Sequence, residues 1–276
     1  MQRRVLAVTA AAVMFGSAAA PASFVALTVN PERVQVVGMP CLPSSVKVGL
    51  TNTGTADRYV DLEIGAQAPV TPDRRIISTW LPAWDPDHTV STAIGITVPR
   101  NAKPGDYELN LSVDRTRRTV PVKVLPLPSK GEGDNLAVGE QARSSSTHGS
   151  FRTCGAVDGD ANPENWSTST GWNDATRGAF PDDYTVTLVA PTTIGRVELQ
   201  TLDSAKYPAA QNGLRDWDVQ VRSAGSWATV SQVRGNVLGR VKSTFPAVTA
   251  DAVRIVALDS NDHAYSRIVE LEVYSR

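Results

Sequence analysis

The sequence lacks an excess of charge of either sign. It contains 27 Lys and Arg residues and 28 Asp and Glu residues, for a formal net charge of −1. Surfaces that bind nucleic acid or anionic membranes need clustered positive charge, because they must neutralise phosphate groups. The composition therefore argues against nucleic acid as a partner and disfavours a membrane surface.

Motifs for catalysis are also missing. The sequence has no HExxH, GxSxG, P-loop or GxGxxG pattern, and its three histidines, His88, His148 and His263, have no metal-ligand spacing. A group of carboxylates lies in "AVDGDANPENWSTSTGWNDAT", an irregular segment with the composition of a surface turn rather than of a pocket that would separate two carboxyl pKa values. We therefore predict that the protein is not an enzyme.

Long apolar runs are confined to the N-terminus. Arg3 and Arg4 precede the run "VLAVTAAAVMFG" and the small-residue motif Ala20-Pro21-Ala22, an order typical of a secretory signal peptide. An uncleaved membrane anchor is the alternative, but the run is shorter than the roughly 20 residues that span a bilayer. We predict a signal peptide over residues 1–22 and a secreted, extracellular protein.

Cysteine is scarce: the chain has only Cys41 and Cys154. Neither lies in a CxxC motif or beside a histidine, which disfavours a redox or nucleophilic role. In an oxidising compartment two thiols often form a disulfide, which here would link two different predicted domains. Two separate buried thiols are the alternative.

The rest of the sequence has the pattern of two all-β domains. Segments such as "SVKVGLTN", "YELNLSV", "YTVTLV" and "IVELEVYS" alternate apolar and polar residues, the period of half-buried strands. A Pro- and Gly-rich stretch within "LPLPSKGEGDN" has the composition of a linker. We predict β-sandwiches over residues 23–126 and 135–276, joined by a linker over residues 127–134.

The first predicted domain resembles bacterial immunoglobulin-like modules of the NEW3 type, which are associated with secreted glycosidases. The resemblance rests on "VGLTNTGTA" and "ITVPRNAKPGDYELNLSV". Trp80 and Trp84, in "STWLPAWDPDH", are candidates for an exposed binding face, although packing in the core or against the linker is the more common role of such residues.

The second predicted domain resembles discoidin domains, also called coagulation-factor 5/8 type C domains, which include a family of bacterial carbohydrate-binding modules. The resemblance implies an eight-stranded antiparallel jelly roll with ligand-binding loops at one end. It rests on "NLAVG…ARSSST", "AVDGD…NWST", "GWNDATRGAFPDDYTVTL", "LRDWDVQV", "SWATVSQVRGNV", "AVRIVAL" and "AYSRIVELEVY".

The discoidin-like resemblance also implies a structural Ca²⁺ in the turn around Gly159. Asp158 and Asp160 match side-chain ligands of that turn, and Glu270 matches a distal glutamate. The carbonyl oxygens of Gly155 and Val269 would complete the shell of oxygen ligands that Ca²⁺ prefers. The sequence departs from the family pattern at Pro163-Glu164-Asn165, and an Asp-Gly turn held by its own hydrogen bonds is the alternative.

Candidate ligand-binding residues are aromatic and planar polar side chains in the predicted loops, since sugar sites combine an aromatic surface with directional hydrogen bonders. Trp172 has a packing role as its alternative, and Trp166, Trp217 and Trp227 are predicted to lie in the core or on strand faces. The predicted ligand contacts are Tyr207, Asn212, Arg215, Trp172, His263 and Tyr265.

These patterns favour a secreted, non-catalytic protein that binds a cell-wall or environmental glycan through the discoidin-like domain. The immunoglobulin-like domain would then act as a spacer. The alternatives are an adhesion module that binds a cell-surface protein or a lipid, and an accessory subunit that acts with a glycoside hydrolase.

Overall fold

The structure is a computed structural model that describes residues 23–85 and 88–276. The predicted signal peptide lies outside these residues. Two hydrophobic cores form, one from residues between Val25 and Val124 and the other mainly from residues between Leu136 and Val273. The chain is all-β in both halves, which confirms the predicted fold class. No helix in the described part of the chain has the length and apolar character needed to cross a membrane.

In the N-terminal half, strands form two sheets that share one core. Within the described part of this half, a four-stranded sheet has the order β1-β3-β7-β5 and a five-stranded sheet the order β2-β9-β8-β4-β6. The strands are β1 (Val25–Asn30), β2 (Val34–Val37), β3 (Ser44–Asn52), β4 (Arg58–Ala66), β5 (Thr71–Pro72), β6 (Ile76–Leu81), β7 (Thr89–Thr97), β8 (Gly105–Val113) and β9 (Thr116–Leu125).

Alternation of side chains explains how these strands form the sandwich. In β8, Leu109, Leu111 and Val113 are buried, whereas Glu108 and Asn110 between them are exposed. Successive side chains of a strand point to opposite faces, so this sequence has one apolar face and one polar face. The apolar faces of both sheets pack together, and polar rows cover the outside.

In the C-terminal half, the described residues form a seven-stranded antiparallel arrangement in the order β11-β16-β12-β15-β13-β14, with β10 paired to β12. A short α-helix, α1 (Ala209–Asn212), and two 3₁₀ turns (Thr153–Val157 and Pro163–Asn165) lie in the connections. The strands are β10 (Gln141–Ser144), β11 (Trp172–Asn173), β12 (Asp182–Thr201), β13 (Leu214–Ser223), β14 (Ser226–Val233), β15 (Arg240–Ser260) and β16 (Arg267–Tyr274).

The described residues of this half form seven strands, where the resemblance implied eight. Two of them are long: β12 contains both "YTVTLV" and "RVELQT", and β15 contains both "VKSTFP" and "AVRIVAL". The β12–β15 ladder shifts register between Thr187 and Thr192 and again between Ile194 and Arg196. Such bulges bend a strand without ending it. Each long strand therefore continues past the point at which the alternation is interrupted.

A disulfide and a buried ion pair join the two halves. Cys41 of the N-terminal half is bonded to Cys154 of the C-terminal half. Close to it, the Arg100 guanidinium donates two hydrogen bonds to the buried carboxylate of Glu140, at 2.8 and 3.0 Å. Lys130, from the linker, lies 3.2 Å from the same carboxylate. The linker and both halves thus converge on Glu140.

We expect Arg100→Ala to lower stability by about 2 kcal/mol, because it leaves the buried Glu140 carboxylate with Lys130 alone. The value is below the roughly 3–5 kcal/mol of a fully buried pair, since Arg100 is partly exposed. Arg118→Ala is the matched control: its pair with Glu32 is exposed, and such pairs contribute under about 1 kcal/mol. Thermal unfolding of both variants would measure the difference, and equal changes in Tm would contradict the prediction.

Candidate functional site

An open cleft of about 240 Å³ lies among the connections of the C-terminal half. Its walls come from the segments before β11, before and within α1, and before β16. Residues far apart in sequence therefore face one another across it. The lining residues are His148, Phe151, Trp166, Asn173, Leu202, Tyr207, Asn212, Tyr265 and Arg267.

Five of the lining residues form a continuous series of neighbouring rings. The ring of Tyr265 lies 5.8 Å edge-on from His148, and His148 lies 6.3 Å edge-on from Phe151. Phe151 lies 4.9 Å from Trp166, which is 6.4 Å edge-on from Tyr207. Edge-to-face spacing of this kind holds rings in place through their mutual electrostatics. We call these five residues the aromatic arc.

Polar groups between the ends of the arc are held by their own hydrogen bonds. The Arg267 guanidinium donates to the Asn212 carbonyl oxygen at 2.9 Å and to Asp262 at 2.8 Å. It also lies 5.3 Å from the centre of the Tyr265 ring. The side-chain amide of the buried Asn173 donates to the Asp174 carbonyl oxygen at 2.8 Å, which orients its own oxygen. The cleft thus combines ring faces with pre-positioned amide and guanidinium groups.

Three of the six residues predicted to contact ligand are in this cleft: Tyr207, Asn212 and Tyr265. Arg215 lies elsewhere, in ion pairs with Asp216 and Asp259 at 2.9 and 3.0 Å. His263 is exposed, and its Nδ1 is 2.9 Å from Asp259. Arg215 is the second residue of β13 and His263 lies in the loop before β16, and both side chains pair with Asp259.

Trp172 is 0% exposed, which corrects its place among the predicted contacts. Its indole N–H donates to the Ser146 carbonyl oxygen at 3.0 Å, and its ring packs 5.2 Å from that of Tyr184. As part of β11 it pairs with Ile268 of β16, and its side chain belongs to the hydrophobic core of this half. Trp172 has the packing role that was its alternative.

Sequence reasoning missed Phe151, His148 and Arg267, and it assigned Trp166 to the core or to a strand face. Trp166 is instead only partly buried and lines the cleft between Phe151 and Tyr207. It lies directly after a one-turn 3₁₀ helix in an irregular segment. The sequence around Trp166 has no apolar–polar alternation, and this was the signal that Trp166 is not a core residue. A core residue in a strand would lie within such an alternation.

Next to the cleft loops, Asp158 and Glu270 form a pair of neighbouring carboxylates. Glu270 is 0% exposed, and one of its oxygens, Oε1, accepts a hydrogen bond from Gly159 N at 3.2 Å. The other, Oε2, is buried without a partner in the described part of the chain. Burial, and after it the nearby charge of Asp158, raises the pKa of Glu270 to about 9. Burial likewise raises the pKa of Asp158. A negative charge on Glu270 is therefore uncompensated.

The other predicted calcium ligands surround this pair in different ways. The carboxylate of Asp160 accepts hydrogen bonds from Asn162 N at 3.0 Å and Asn165 Nδ2 at 2.9 Å, as in a turn held by its own bonds. The Gly155 carbonyl oxygen accepts from Gly171 N at 2.7 Å. Val269 lies at a register shift between β12 and β16, outside the regular ladder.

One further oxygen was not anticipated from the sequence. The Thr170 hydroxyl lies beside Asp158 and partly offsets the burial that raises the pKa of that carboxyl. It does not complete a hydrogen bond, and its Oγ1 is buried without a partner in the described part of the chain. Within residues 23–85 and 88–276, no group of three or more His, Cys, Asp or Glu side chains has the arrangement of a metal site. The unpartnered oxygens here thus include a hydroxyl as well as a carboxylate.

The family comparison covers the half of the chain that contains both sites. Residues 141–271 match the F5/8 type C domain. The predicted resemblance is therefore confirmed for the C-terminal half. No curated protein matches the sequence.

Several solved structures are similar to this F5/8 type C half. Chitosan-binding module 1 of a chitosanase/glucanase from Paenibacillus sp. IK-5 is 29% identical, covering 51% of this chain and 98% of the module, with a TM-score of 0.42. A family 32 CBM of C. perfringens NanJ, solved with galactose, is 22% identical, covering 49% and 92%, with a TM-score of 0.40. The module CpGH89CBM32-5 from Clostridium perfringens, solved with GalNAc-β-1,3-galactose, is 20% identical, covering 51% and 99%, with a TM-score of 0.42.

Within the F5/8 type C domain, Gly155 and Gly171 bring the carboxylate turn and the cleft together. A Cβ on Gly155 would lie 2.1 Å from the Gly171 carbonyl oxygen. Gly171 has φ +80, and a Cβ there would lie 2.4 Å from the Trp166 ring. Only glycine allows these backbones to approach so closely. The position of Trp166 in the arc therefore depends on the same contact that closes the turn.

Proposed function

We propose that the protein is a secreted, non-catalytic carbohydrate-binding protein whose F5/8 type C domain holds a glycan in the aromatic cleft. The observation that carries this proposal is the aromatic arc together with the fixed Asn212, Asn173 and Arg267 groups. A sugar ring has apolar C–H faces and a rim of hydroxyls. The arc offers ring surface to the first, and the planar amides and guanidinium offer directional hydrogen bonds to the second.

In this proposal the cleft acts by binding alone. The arc removes apolar sugar surface from water, while Arg267, fixed by Asn212 and Asp262, donates to hydroxyls without having to reorganise. An open cleft buries only part of its ligand, so the expected affinity is millimolar to micromolar, about 4–8 kcal/mol. The N-terminal half, which we propose to be a NEW3-type immunoglobulin-like domain, serves as a spacer. The Cys41–Cys154 disulfide supports secretion, because such bonds persist in oxidising compartments.

A structural Ca²⁺ beside the cleft is part of the same proposal. The residues fit an oxygen-ligated cation, because Glu270 Oε2 and Thr170 Oγ1, both near Asp158, are buried and have no partner among the described residues. Asp158, Asp160 and Glu270 would supply carboxylate ligands, and Gly155 and Val269 would supply carbonyl oxygens. Bound there, the ion would supply positive charge beside the buried Glu270 carboxylate and the half-buried Asp158 carboxylate. Its role would be to stabilise the turn that precedes the Trp166 segment.

A second candidate function is adhesion to a protein or lipid surface. It is favoured by two adjacent apolar side chains, Val237 and Leu238, which are both exposed in the connection between β14 and β15. That connection is anchored by Asn236, whose backbone N–H donates to the Arg215 carbonyl oxygen at 2.9 Å. An accessory role beside a glycoside hydrolase is compatible with the glycan-binding proposal and would share its cleft.

A glycan-array screen of the purified protein, followed by titration of the strongest ligand, tests the proposal. Trp166→Ala and Tyr207→Ala are each expected to weaken binding roughly 10–100-fold, because each removes about 1.5–3 kcal/mol of apolar contact with the sugar. Trp227→Ala is the matched aromatic control, since its ring lies on Arg254 at the opposite end of β13.

Arg215→Ala tests whether the ligand contacts Arg215, as the sequence predicted, or binds in the cleft, which Arg215 does not line. Its guanidinium is committed to Asp216 and Asp259, so we expect affinity within about twofold of the wild type. A loss as large as that of Trp166→Ala would place the site elsewhere. An array without signal, combined with binding of phospholipid vesicles that is lost in Leu238→Ser, would favour the adhesion function.

A further inference from the structure

The outer face of the N-terminal half exposes an unusual group of aromatic side chains. Tyr59 of β4 and Trp80 of β6 are direct partners in the antiparallel ladder, so their side chains lie on the same face. Tyr59 is 85% exposed and Trp80 is 38% exposed. Strand β6 is the edge of its sheet. The two rings therefore stand beside each other on a surface that the described chain does not cover.

Trp84 extends this surface beyond the end of β6. It is 73% exposed. The preceding residue, Ala83, donates its backbone N–H to Asp57 Oδ1 at 2.7 Å, which ties the Trp84 segment to the start of β4, two residues before Tyr59. Three large aromatic side chains are thus gathered at one end of the five-stranded sheet, where burial would normally remove them from water.

Carboxylates continue the same face along β4. Asp61 and Glu63 are exposed and alternate with buried Leu62 and Ile64, so they point the same way as Tyr59. With a rise of about 3.3 Å per residue, they lie roughly 7 and 13 Å along the strand from it. Within the described residues neither carboxylate is in an ion pair, and Glu63 accepts only a long hydrogen bond from Ser112, at 3.4 Å. We call Tyr59, Asp61, Glu63, Trp80 and Trp84 the aromatic–carboxylate face.

This face lies at the end of the domain away from the disulfide. Cys41 comes just before β3, whereas Asn52, the last residue of β3, donates its side-chain amide to the Leu81 carbonyl oxygen at the end of β6. The nine residues of β3 span about 30 Å. The C-terminal half, which is attached near Cys41, therefore leaves the aromatic–carboxylate face accessible.

We propose that the aromatic–carboxylate face is a second ligand site, which binds a polysaccharide that carries free amino groups. The rings suit the apolar faces of successive sugar units, and the uncompensated carboxylates Asp61 and Glu63 suit ammonium groups along the chain. A neutral glycan would use the rings but leave both carboxylates without a partner. The choice of a glycan over a basic peptide rests on the proposed function, because the cleft of the other half has the chemistry of a sugar site.

Two sites on one covalently joined molecule would act together on a long polymer. The disulfide and the Arg100–Glu140 pair restrict how far one half can move from the other. Once one site is occupied, the other meets the same polymer at a raised effective concentration. The polymer should therefore bind more tightly than a short oligomer, which can occupy only one site at a time.

The test uses the full chain with the cleft disabled by Trp166→Ala and Tyr207→Ala, so that binding reports on the second face. Calorimetric titration compares a glucosamine hexamer with its fully N-acetylated counterpart and with a lysine hexapeptide. We expect the glucosamine hexamer to bind about 10-fold more tightly than the acetylated one, and the difference to shrink as salt is added. Tyr59→Ala with Trp84→Ala should abolish binding, and Asp61→Asn with Glu63→Gln should remove the preference for amines.

Matched controls are Trp227→Ala for the aromatic change and Glu132→Gln for the loss of an exposed acidic group. Absence of binding by the cleft-disabled protein, or equal affinity for both hexamers, would overturn the proposal. Stronger binding of the lysine hexapeptide would also overturn it and identify a protein-docking face. Amine-dependent binding here without any sugar binding in the cleft would support this inference while contradicting the proposed function of the cleft.

Discussion

Removing calcium with a chelator is expected to lower the Tm of the protein by about 5–10 °C. Saturation of a site at about 100 times its Kd stabilises a fold by about 2.7 kcal/mol, and 1 kcal/mol corresponds to about 2–4 °C in a domain of this size. The physical reason is the neighbouring carboxylates of half-buried Asp158 and buried Glu270, neither of which is in an ion pair in the part of the chain described here. Differential scanning fluorimetry with calcium and with chelator measures the shift.

The pKa of Glu270 sets the pH dependence in chelator. Because it is raised from 4.5 to about 9, the folded protein holds a proton that the unfolded chain releases in this window. The contribution of Glu270 to the free energy of unfolding without calcium should therefore be highest below about pH 4.5. It should fall as pH rises toward 9. The difference in Tm between calcium and chelator should increase as pH rises from about 4.5 toward 9, because the ion replaces the proton as the partner of the Glu270 carboxylate.

Glu270→Gln isolates this effect. The amide keeps the shape of the side chain and removes the charge, so the variant should be more stable than the wild type in chelator and insensitive to calcium. Glu272→Gln is the matched control: this residue is two positions further along β16 and pairs with Arg240. A wild-type protein with the same Tm in calcium and chelator would show that the turn is held by its own hydrogen bonds, as in the alternative interpretation.

Gly155→Ala is expected to cost at least about 3 kcal/mol of stability and to abolish glycan binding in the cleft. Overpacking typically costs about 1–3 kcal/mol, and this case lies at or above that limit because the obstacle is backbone, not a flexible side chain. The new Cβ would lie 2.1 Å from the Gly171 carbonyl oxygen, while the Gly171 N–H is bonded to the Gly155 carbonyl oxygen. The backbones at Gly155 and Gly171 must therefore move apart. Trp166 is packed on Gly171 and moves with it.

Gly65→Ala provides the control for this variant, because the only atom near its new Cβ is the Asn110 carbonyl oxygen at 4.0 Å. Thermal unfolding together with titration of the cleft ligand measures both consequences. Unchanged stability in Gly155→Ala would show that the turn can open without cost. Reduced stability with intact glycan binding would show that the arc does not depend on the turn.

Much of the fold could be predicted from alternation of apolar and polar residues. The strands β3, β8 and β16 coincide with "SVKVGLTN", "YELNLSV" and "IVELEVYS", because a half-buried strand imposes a period of two on its own sequence. The division into two halves was visible in the composition of the linker. The long strands β12 and β15 were not predicted as continuous, because a bulge interrupts the period without interrupting the strand.

The candidate site could be predicted only in part. Tyr207, Asn212 and Tyr265 were identified from loops rich in aromatic and amide side chains, and they do line the cleft. Trp166 was predicted to lie in the core or on a strand face, but it lines the cleft, and Trp172 has the packing role that was its alternative. Nothing local distinguishes them: Trp172 is buried in β11, which pairs with β16, whereas Trp166 lies next to Phe151 and Tyr207.

The sequence by itself determined the fold class and the kind of C-terminal domain, because these depend on local period and motif order along the chain. Only the tertiary structure decided which rings meet in the arc, which carboxylate oxygen is left without a partner among the described residues, and that Tyr59 and Trp80 share an exposed face. Those properties depend on distances between residues remote in sequence. Such distances are set by the register between strands and by the close approach of backbones. Neither can be predicted from the residue at any single position.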